Sequence, residues 1–311
     1  SFAVIGDETD PDTGTNYICA NVSGGVRIES SHAIICGAHI GLASNGQAMG
    51  NGGAGIFCAA GGVDVRRCVI GFNQTAGVRL TGRGESELLD NWIGVTPIGQ
   101  PAGNFGPGVL VTTQLNPEFA WNGGVLIGGT EPGKGNRIAF NQGPGIAVPE
   151  VPGGESTTRL AIRRNEIHAN GGLGIDLGTA GVLGNDPGDA DDGVNHGQNF
   201  PVIHKVTASK VIGSIDTVAE KPVTIECFLA EADGTGYGEG RTFIGAVEVT
   251  TDADGHADFV LPHLQLPQGS RVTATATLLL ESGLFHDAFE TSEFAANVPV
   301  TPEPGDFVIT G

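Results

Sequence analysis

The sequence predicts an all-β protein, in which a right-handed parallel β-helix is followed by an Ig-like β-sandwich. Glycine is the commonest residue, with 52 copies in 311 residues, and frequent turn residues are typical of many short strands joined by tight bends. A repeat of asparagine and glycine runs through the first 180 residues. From Phe200 onwards, alternating strand patterns separated by turn signals replace it.

The repeat consists of an asparagine, three residues, a glycine, a branched apolar residue, any residue and a second apolar residue. It occurs six times, and such self-similarity is the signature of a solenoid. The shortest interval between successive repeat glycines is 22 residues, from Gly55 to Gly77, which is typical of one minimal solenoid turn. The repeat asparagines are Asn21, Asn51, Asn73, Asn104, Asn141 and Asn170.

Each position of the repeat has a physical reason. The apolar–any–apolar triplet is a period-two strand whose first and third side chains point into the solenoid. The glycine permits the positive φ of a corner, and the asparagine can hydrogen-bond its counterparts in adjacent coils. Because strands pair only with the coils above and below, the sheets are parallel without intervening helices. We therefore expect the asparagines to form a structural ladder, with a second stack at Asn91, Asn136 and Asn165.

The repeat ends after Leu177, and a stretch rich in Gly, Asp and Asn follows. The predicted organisation is a β-helix over 1–180, an acidic linker over 181–199, an Ig-like β-sandwich over 200–300 and a tail strand over 301–311. Strand spacings and turn signals favour the sandwich. The candidate strands of this second region are 202–212, 223–230, 243–250, 257–261, 271–280 and 292–300.

Three stretches besides the minimal repeat resemble a known family: 165–178, the joint formed by 185–191 and 198–202, and 236–245. With the Asn–Gly coils, they make the chain resemble bacterial secreted right-handed parallel β-helix repeat proteins over nearly all of residues 15–300. The resemblance implies secretion or attachment to the cell surface. It implies no single activity, because the fold hosts lyases, hydrolases, adhesins and passive spacers.

The formal net charge of −20 argues against nucleic acid and anionic membrane surfaces, because both need a basic footprint on the protein. It is typical of an extracellular protein that binds divalent cations or is simply kept soluble by its carboxylates. No apolar run approaches the ~20 residues that span a bilayer, so we expect no membrane insertion. The chain opens at Ser1 without a signal-peptide core, as a mature form would.

The cysteines match no zinc motif in their spacing. One disulfide in the amino-terminal third and buried free thiols remain alternatives. The five cysteines are Cys19, Cys36, Cys58, Cys68 and the isolated Cys227.

The joint between the two regions is a candidate calcium site. Asp186, Asp189, Asp191 and Asp192 lie within seven residues, beside Asn185. Carboxylate and amide oxygens are the ligands that calcium prefers, although the spacing is not that of an EF-hand. A plain acidic linker is the alternative.

Short apolar segments at both ends of the chain predict either ordinary edge strands or self-association. A strand that pairs with an open sheet edge of another copy makes a head-to-tail contact, which propagates into a filament. The candidate self-association residues are Phe2, Val4, Ile5, Phe307, Val308 and Ile309.

Catalytic chemistry is weakly indicated. The outward residues of the repeat strand, from Arg27 to Asp176, include one carboxylate, whereas glycoside hydrolysis needs a converging pair. No HExxH or GxSxG motif occurs, but the corner loop 81–90 with Glu85, Glu87 and Asp90 could still build a site. The sequence therefore predicts a non-catalytic extracellular structural or adhesive surface protein that assembles into filaments by strand addition. The alternative is a lyase or glycosidase that acts on polysaccharides with its β-helix.

Overall fold

The computed structural model describes residues 3–6, 15–29, 32–82, 84–112, 124–150, 159–190, 192–231, 234–262, 264–281 and 288–302. The all-β class is confirmed: apart from one 3₁₀ segment at Val194–Gly197, the regular elements in these ranges are strands. Among the described residues, no helix is both long and apolar enough to cross a membrane.

The amino-terminal region is a stack of six coils, and each coil contributes one short strand to each of three parallel six-stranded sheets. The strands of the first three coils are β1 (Ala3–Ile5), β2 (Tyr17–Ile18), β3 (Val26–Ile28), β4 (Ala33–Cys36), β5 (His39–Ile40), β6 (Ile56–Cys58), β7 (Val63–Arg66), β8 (Val69–Ile70) and β9 (Val78–Leu80). Those of the next three are β10 (Ser86–Leu89), β11 (Trp92–Ile93), β12 (Val109–Val111), β13 (Val125–Gly128), β14 (Arg137–Ala139), β15 (Ile146–Pro149), β16 (Leu160–Arg163), β17 (Glu166–His168) and β18 (Ile175–Gly178).

The coils stack in a register that places like residues above one another. We call the sheet of β1 the first sheet, that of β2 the second and that of β3 the third. In the third sheet, Ile56 pairs with Val26 on one side and with Val78 on the other. The inward side chains of all three sheets form one continuous apolar core. This arrangement is a parallel β-helix-like stack, as the repeat predicts.

The first sheet is the part of the solenoid that the repeat does not predict. Its strands show clear alternation, as in Val63-Asp64-Val65-Arg66, where the two valines are fully buried and the polar residues are partly exposed. No asparagine or glycine marks its corners at a fixed distance, because loops of different lengths precede its strands. The Asn–Gly spacing therefore locates two of the three strands in each coil.

In the part of the second region that the structure describes, eight strands surround a core of their own. The sheet order is β22-β21-β24-β26-β19-β20-β23, with β25 paired to β24. Within this region, β19 and β26 pair in parallel, and the other pairs are antiparallel. The strands are β19 (Val202–Thr207), β20 (Val211–Asp216), β21 (Pro222–Glu231), β22 (Glu239–Thr250), β23 (His256–Leu261), β24 (Arg271–Glu281), β25 (Ala288–Thr291) and β26 (Val298–Thr301).

The prediction of a single strand over 202–212 is wrong. A tight turn interrupts the segment, because the Thr207 N–H donates to the Lys210 carbonyl at 2.9 Å. The chain reverses there, and β19 and β20 pair with each other in antiparallel orientation. Apolar strand-forming residues stand close to the turn on both sides, with Val206 before it and Val211 after it, so apolar content alone does not reveal the break.

Candidate functional site

The repeat asparagines lie in a column at one corner of the coils and are joined by hydrogen bonds. Asn104 shows the pattern: its Nδ2 and its backbone N–H both donate to Asn141 Oδ1, at 2.9 and 3.2 Å. A second Nδ2 hydrogen bond reaches the Ile70 carbonyl at 3.3 Å. Asn104 is fully buried, so these bonds satisfy polar groups that water does not reach. The same amide-to-amide bond joins Asn21, Asn51, Asn73, Asn104, Asn141 and Asn170 in succession.

A second column at another corner joins three asparagines in the same way. Asn91 Nδ2 donates to Asn136 Oδ1, and Asn136 Nδ2 donates to Asn165 Oδ1, both at 2.8 Å. At the other end of the column, the backbone N–H of Cys68 donates to Asn91 Oδ1 at 2.9 Å. The side chain at this position of the preceding coil is a thiol, so the amide stack stops there.

The first column is continued by a carboxylate of the second region. Both the backbone N–H and the Nδ2 of Asn170 donate to Glu239 Oε1, at 3.2 and 2.9 Å. Glu239 is buried. Its oxygen therefore occupies the place that the amide oxygen of a seventh coil would have.

Three further buried glutamates accept hydrogen bonds from the last coil. Glu226 accepts from the Arg164 N–H at 2.9 Å, and Glu293 accepts from the Leu177 N–H at 2.8 Å. Glu290 accepts from the Arg159 N–H at 3.3 Å. Buried backbone donors without a partner are costly. These carboxylates remove that cost at an edge where no further strand of the described ranges pairs.

Aromatic side chains close the apolar interior at the same end. In the earlier coils, the space beside each repeat glycine is filled by the next coil; at Gly174 it is filled by the ring of Phe294 and by Glu239. Phe294 packs edge-to-face on Phe228, with 5.6 Å between ring centroids. Both rings belong to the same apolar core as the coils. We call this junction, formed by Phe228, Phe294 and the four glutamates, the carboxylate cap.

The glutamates of the cap differ in whether a basic side chain pairs with them. Glu226 is fully buried and pairs with Arg163, with 3.0 Å between Oε1 and Nε. Among the described residues, the carboxylate of Glu293 accepts hydrogen bonds from the Leu177 and Leu183 amides and from no charged side chain. Burial therefore raises the pKa of Glu293 to about 7, and the charge of Asp176 contributes in the same direction. Glu290 bonds His196 at 2.9 Å and raises the pKa of that imidazole above its usual value.

The joint beside the cap contains the candidate calcium ligands. Asp189 accepts from the Asn199 N–H at 2.8 Å and from the Thr217 hydroxyl at 2.6 Å. Asp186 accepts from the Ala190 N–H at 3.1 Å through one oxygen, while its Oδ1 has no hydrogen-bond partner among the described residues. These bonds make the segment an ordered tie between the two regions. The segment predicted as an acidic linker over 181–199 is therefore held by specific hydrogen bonds.

No group of three or more His, Cys, Asp or Glu side chains that could hold a metal ion occurs in the described part of the chain. Asp191 lies outside the described residues, and Asp192 is exposed. Calcium at this joint therefore stays a prediction.

The first sheet carries a pair of acids of which the sequence predicted only one. Glu87 was expected in a corner loop over 81–90, but it lies on strand β10, and Asp64 was not recognised as a candidate. Asp64 and Glu87 are register partners on β7 and β10, and both bond the same Nη2 of Arg66, at 3.0 and 3.2 Å. His32 Nε2 lies 2.9 Å from the other oxygen of Asp64. The alternating pattern of the first-sheet strands is the signal that would have revealed the pair. Asp64 and Glu87 each stand between two inward residues, so both side chains point outward from the same sheet.

The segments at the chain ends are described only in part. Val4 and Ile5 lie in β1, which pairs with β4 as an edge strand of the first sheet. The side chain of Val4 is 56% exposed. Phe2, Phe307, Val308 and Ile309 lie outside the described residues.

All five cysteines are free thiols. Burial raises the pKa of Cys68 to about 12 and that of Cys58 to about 11. Cys227, in the second region, is likewise raised to about 12 by burial. Because the thiolate is the reactive form, these three side chains act as small apolar core residues.

A scan against protein-family models finds no match, and no curated protein matches the chain.

Proposed function

We propose that this chain is a non-catalytic extracellular structural or adhesive surface protein of bacterial secreted type, whose second region is an Ig-like sandwich. The carboxylate cap is the observation that carries the proposal. It joins the solenoid and the second region through one continuous core and a set of buried hydrogen bonds. Such a junction holds the two regions in a fixed relation, which suits a load-bearing or spacing role better than a hinged catalytic one.

Self-assembly by strand addition is part of this proposal. The cap occupies the end of the last coil, whereas β1, β2 and β3 are the terminal strands of their sheets at the other end. Edge strands offer unpaired backbone groups to another chain. We propose that the tail with Phe307, Val308 and Ile309 pairs with β1 of a second copy, which includes Val4 and Ile5. A contact of this kind is heterologous and therefore propagates into a filament.

Light scattering and electron microscopy of the purified 311-residue chain test this assembly. We expect particles that grow with protein concentration and appear as fibres. Val308→Asp should suppress growth, because a carboxylate in the added strand opposes its burial. Ile98→Asp is the matched control, since Ile98 is 79% exposed on a hairpin. A chain that stays monomeric at high concentration, with calcium present, would rule out the assembly.

A polysaccharide-acting enzyme is the second candidate, and the Asp64–Glu87 pair favours it. Adjacent carboxylates on one face of a sheet are the minimum that glycoside hydrolysis requires. Acidic and neutral glycans should then yield new reducing ends or unsaturated products. Asp64→Asn and Glu87→Gln should abolish that yield, while Glu131→Gln, at an exposed loop position, should preserve it. A screen without any product, or turnover that survives Asp64→Asn and Glu87→Gln, removes this candidate.

A further inference from the structure

A cation–π stack lies on the outward face of the third sheet, in the first three coils. Arg27, Phe57 and Arg79 are register partners on β3, β6 and β9. The guanidinium carbons of Arg27 and Arg79 lie 4.6 and 4.9 Å from the centroid of the Phe57 ring. Contacts of this kind hold a guanidinium in place without neutralising its charge. Both arginine side chains nevertheless remain exposed.

The charge around this stack differs from that of the rest of the molecule. The chain has 35 acidic and 15 basic residues, and most arginines with a described partner lie beside an acid. Such ion pairs hold Arg66, Arg137, Arg163, Arg164 and Arg241, and within the stack Arg27 pairs with Glu29. Arg79 has no ion pair within the described ranges, and the next outward residues of its row, Leu110 and Ala147, are uncharged. The stack is therefore a local basic site on an acidic protein.

We propose that Arg27, Phe57 and Arg79 form a binding site for an acidic polysaccharide that carries carboxylates on its sugars. This inference rests on the adhesive part of the proposed function and names its ligand class. Neighbouring strands are about 4.8 Å apart, so the two guanidiniums stand roughly 10 Å apart along the row. An extended polymer that crosses β3, β6 and β9 can present one carboxylate to each, and guanidinium–carboxylate hydrogen bonds are among the stronger ones in proteins.

The small number of basic residues argues against nucleic acid and anionic membranes as ligands. Nucleic acid and anionic membranes are bound by proteins with several basic residues on one face, and this site has two. Glu29 opposes binding, because its Oε1 lies 2.5 Å from Arg27 Nε and occupies that donor. A ligand carboxylate must compete with Glu29 at Arg27, whereas the guanidinium of Arg79 is available.

Titration of the full chain with polygalacturonate, a polyuronate, tests the site. We expect binding that weakens with added salt, and no binding of the neutral polymer dextran. Arg79→Gln should weaken the affinity about fivefold or more, since it removes one charge-assisted contact. Glu29→Gln should strengthen it, because it frees Arg27. Arg241→Gln, which alters an exposed arginine paired with Glu231 in the second region, should leave it unchanged.

Three results would overturn the inference: no binding, equal affinities of Arg79→Gln and the unaltered chain, or Arg79-dependent binding of DNA or anionic vesicles at least as tight as that of polygalacturonate. Light scattering of the same samples separates this failure from that of the proposed function. Fibres without polygalacturonate binding would refute the site alone. Cleavage of the bound polymer would refute the non-catalytic function while the site stands.

Discussion

At the scale of single residues, the solenoid depends on side chains that complete hydrogen bonds between coils. Asn104 satisfies four polar groups of its neighbours: the Asn73 N–H and Nδ2, the Ile70 carbonyl and Asn141 Oδ1. All of them are buried, so bulk water does not reach them. The repeat makes this role predictable from the sequence, because a fixed Asn–Gly offset in every coil requires that the asparagines stack.

Asn104→Ala should therefore destabilise the chain strongly. Each buried polar group left without a partner costs about 1–3 kcal/mol, so we expect the free energy of unfolding to fall by about 3 kcal/mol or more. Urea unfolding followed by circular dichroism measures the loss. The matched control is Asn45→Ala, since Asn45 bonds Gln47 at an exposed hairpin and its loss should cost less than about 1 kcal/mol. Equal losses for the two variants would contradict the structural role of the column.

At the scale of elements, the sequence predicts what repeats and misses what does not. The register of the third sheet follows from the Asn–Gly spacing. The first sheet has no marked corner, so Asp64 was not recognised and Glu87 was assigned to a corner loop instead of strand β10. The longer coils contain insertions after Ile40 and Ile93 that the minimal repeat does not predict. Both are β-hairpins, with bridges between Leu42 and Ala48 and between Val95 and Pro101. Both insertions contain a Gly-Gln dipeptide, at Gly46-Gln47 and at Gly99-Gln100. This shared dipeptide is the sequence signal that could have indicated that the two insertions have the same structure.

At the scale of the whole molecule, the carboxylate cap is the feature that local patterns do not predict. Glu239 and Asn170 are 69 residues apart in the chain, and a glutamate in a strand is ordinarily read as a solvent-facing residue. The glutamates are buried because the end of a solenoid offers rows of N–H donors that must be satisfied. Contacts between residues that are far apart in the chain produce no repeating sequence pattern in either region, so the sequence alone does not reveal them.

Glu293 makes the stability of the cap dependent on pH. Its pKa is about 7 in the folded chain, against 4.5 as the ordinary value, so the folded state favours the protonated form. The stabilisation from this group is complete below pH ~4.5 and is lost as pH rises through about 7. One pKa unit corresponds to about 1.4 kcal/mol, so the effect is on the order of 3 kcal/mol.

Urea unfolding at pH 4.5 and pH 8 should show a smaller difference in the free energy of unfolding for Glu293→Gln than for the unaltered chain. Glutamine stays neutral throughout this interval, so the contribution of residue 293 no longer varies. His196, whose pKa is also raised, contributes in the same sense and remains in both proteins. Identical pH dependence in the two proteins would show that Glu293 does not titrate in this interval.

The cap has a consequence for how the gene of such a protein can change. Every junction between consecutive coils uses the same amide ladder, so the coils are interchangeable parts in a way that the cap is not. Duplication of one coil, such as the 22-residue unit that begins at Asn51 and ends before Asn73, lengthens the solenoid by about 4.8 Å, one strand spacing. It leaves both ends intact. Unequal crossing-over can therefore change the number of coils, whereas the interface between the last coil and the second region has to be kept unchanged.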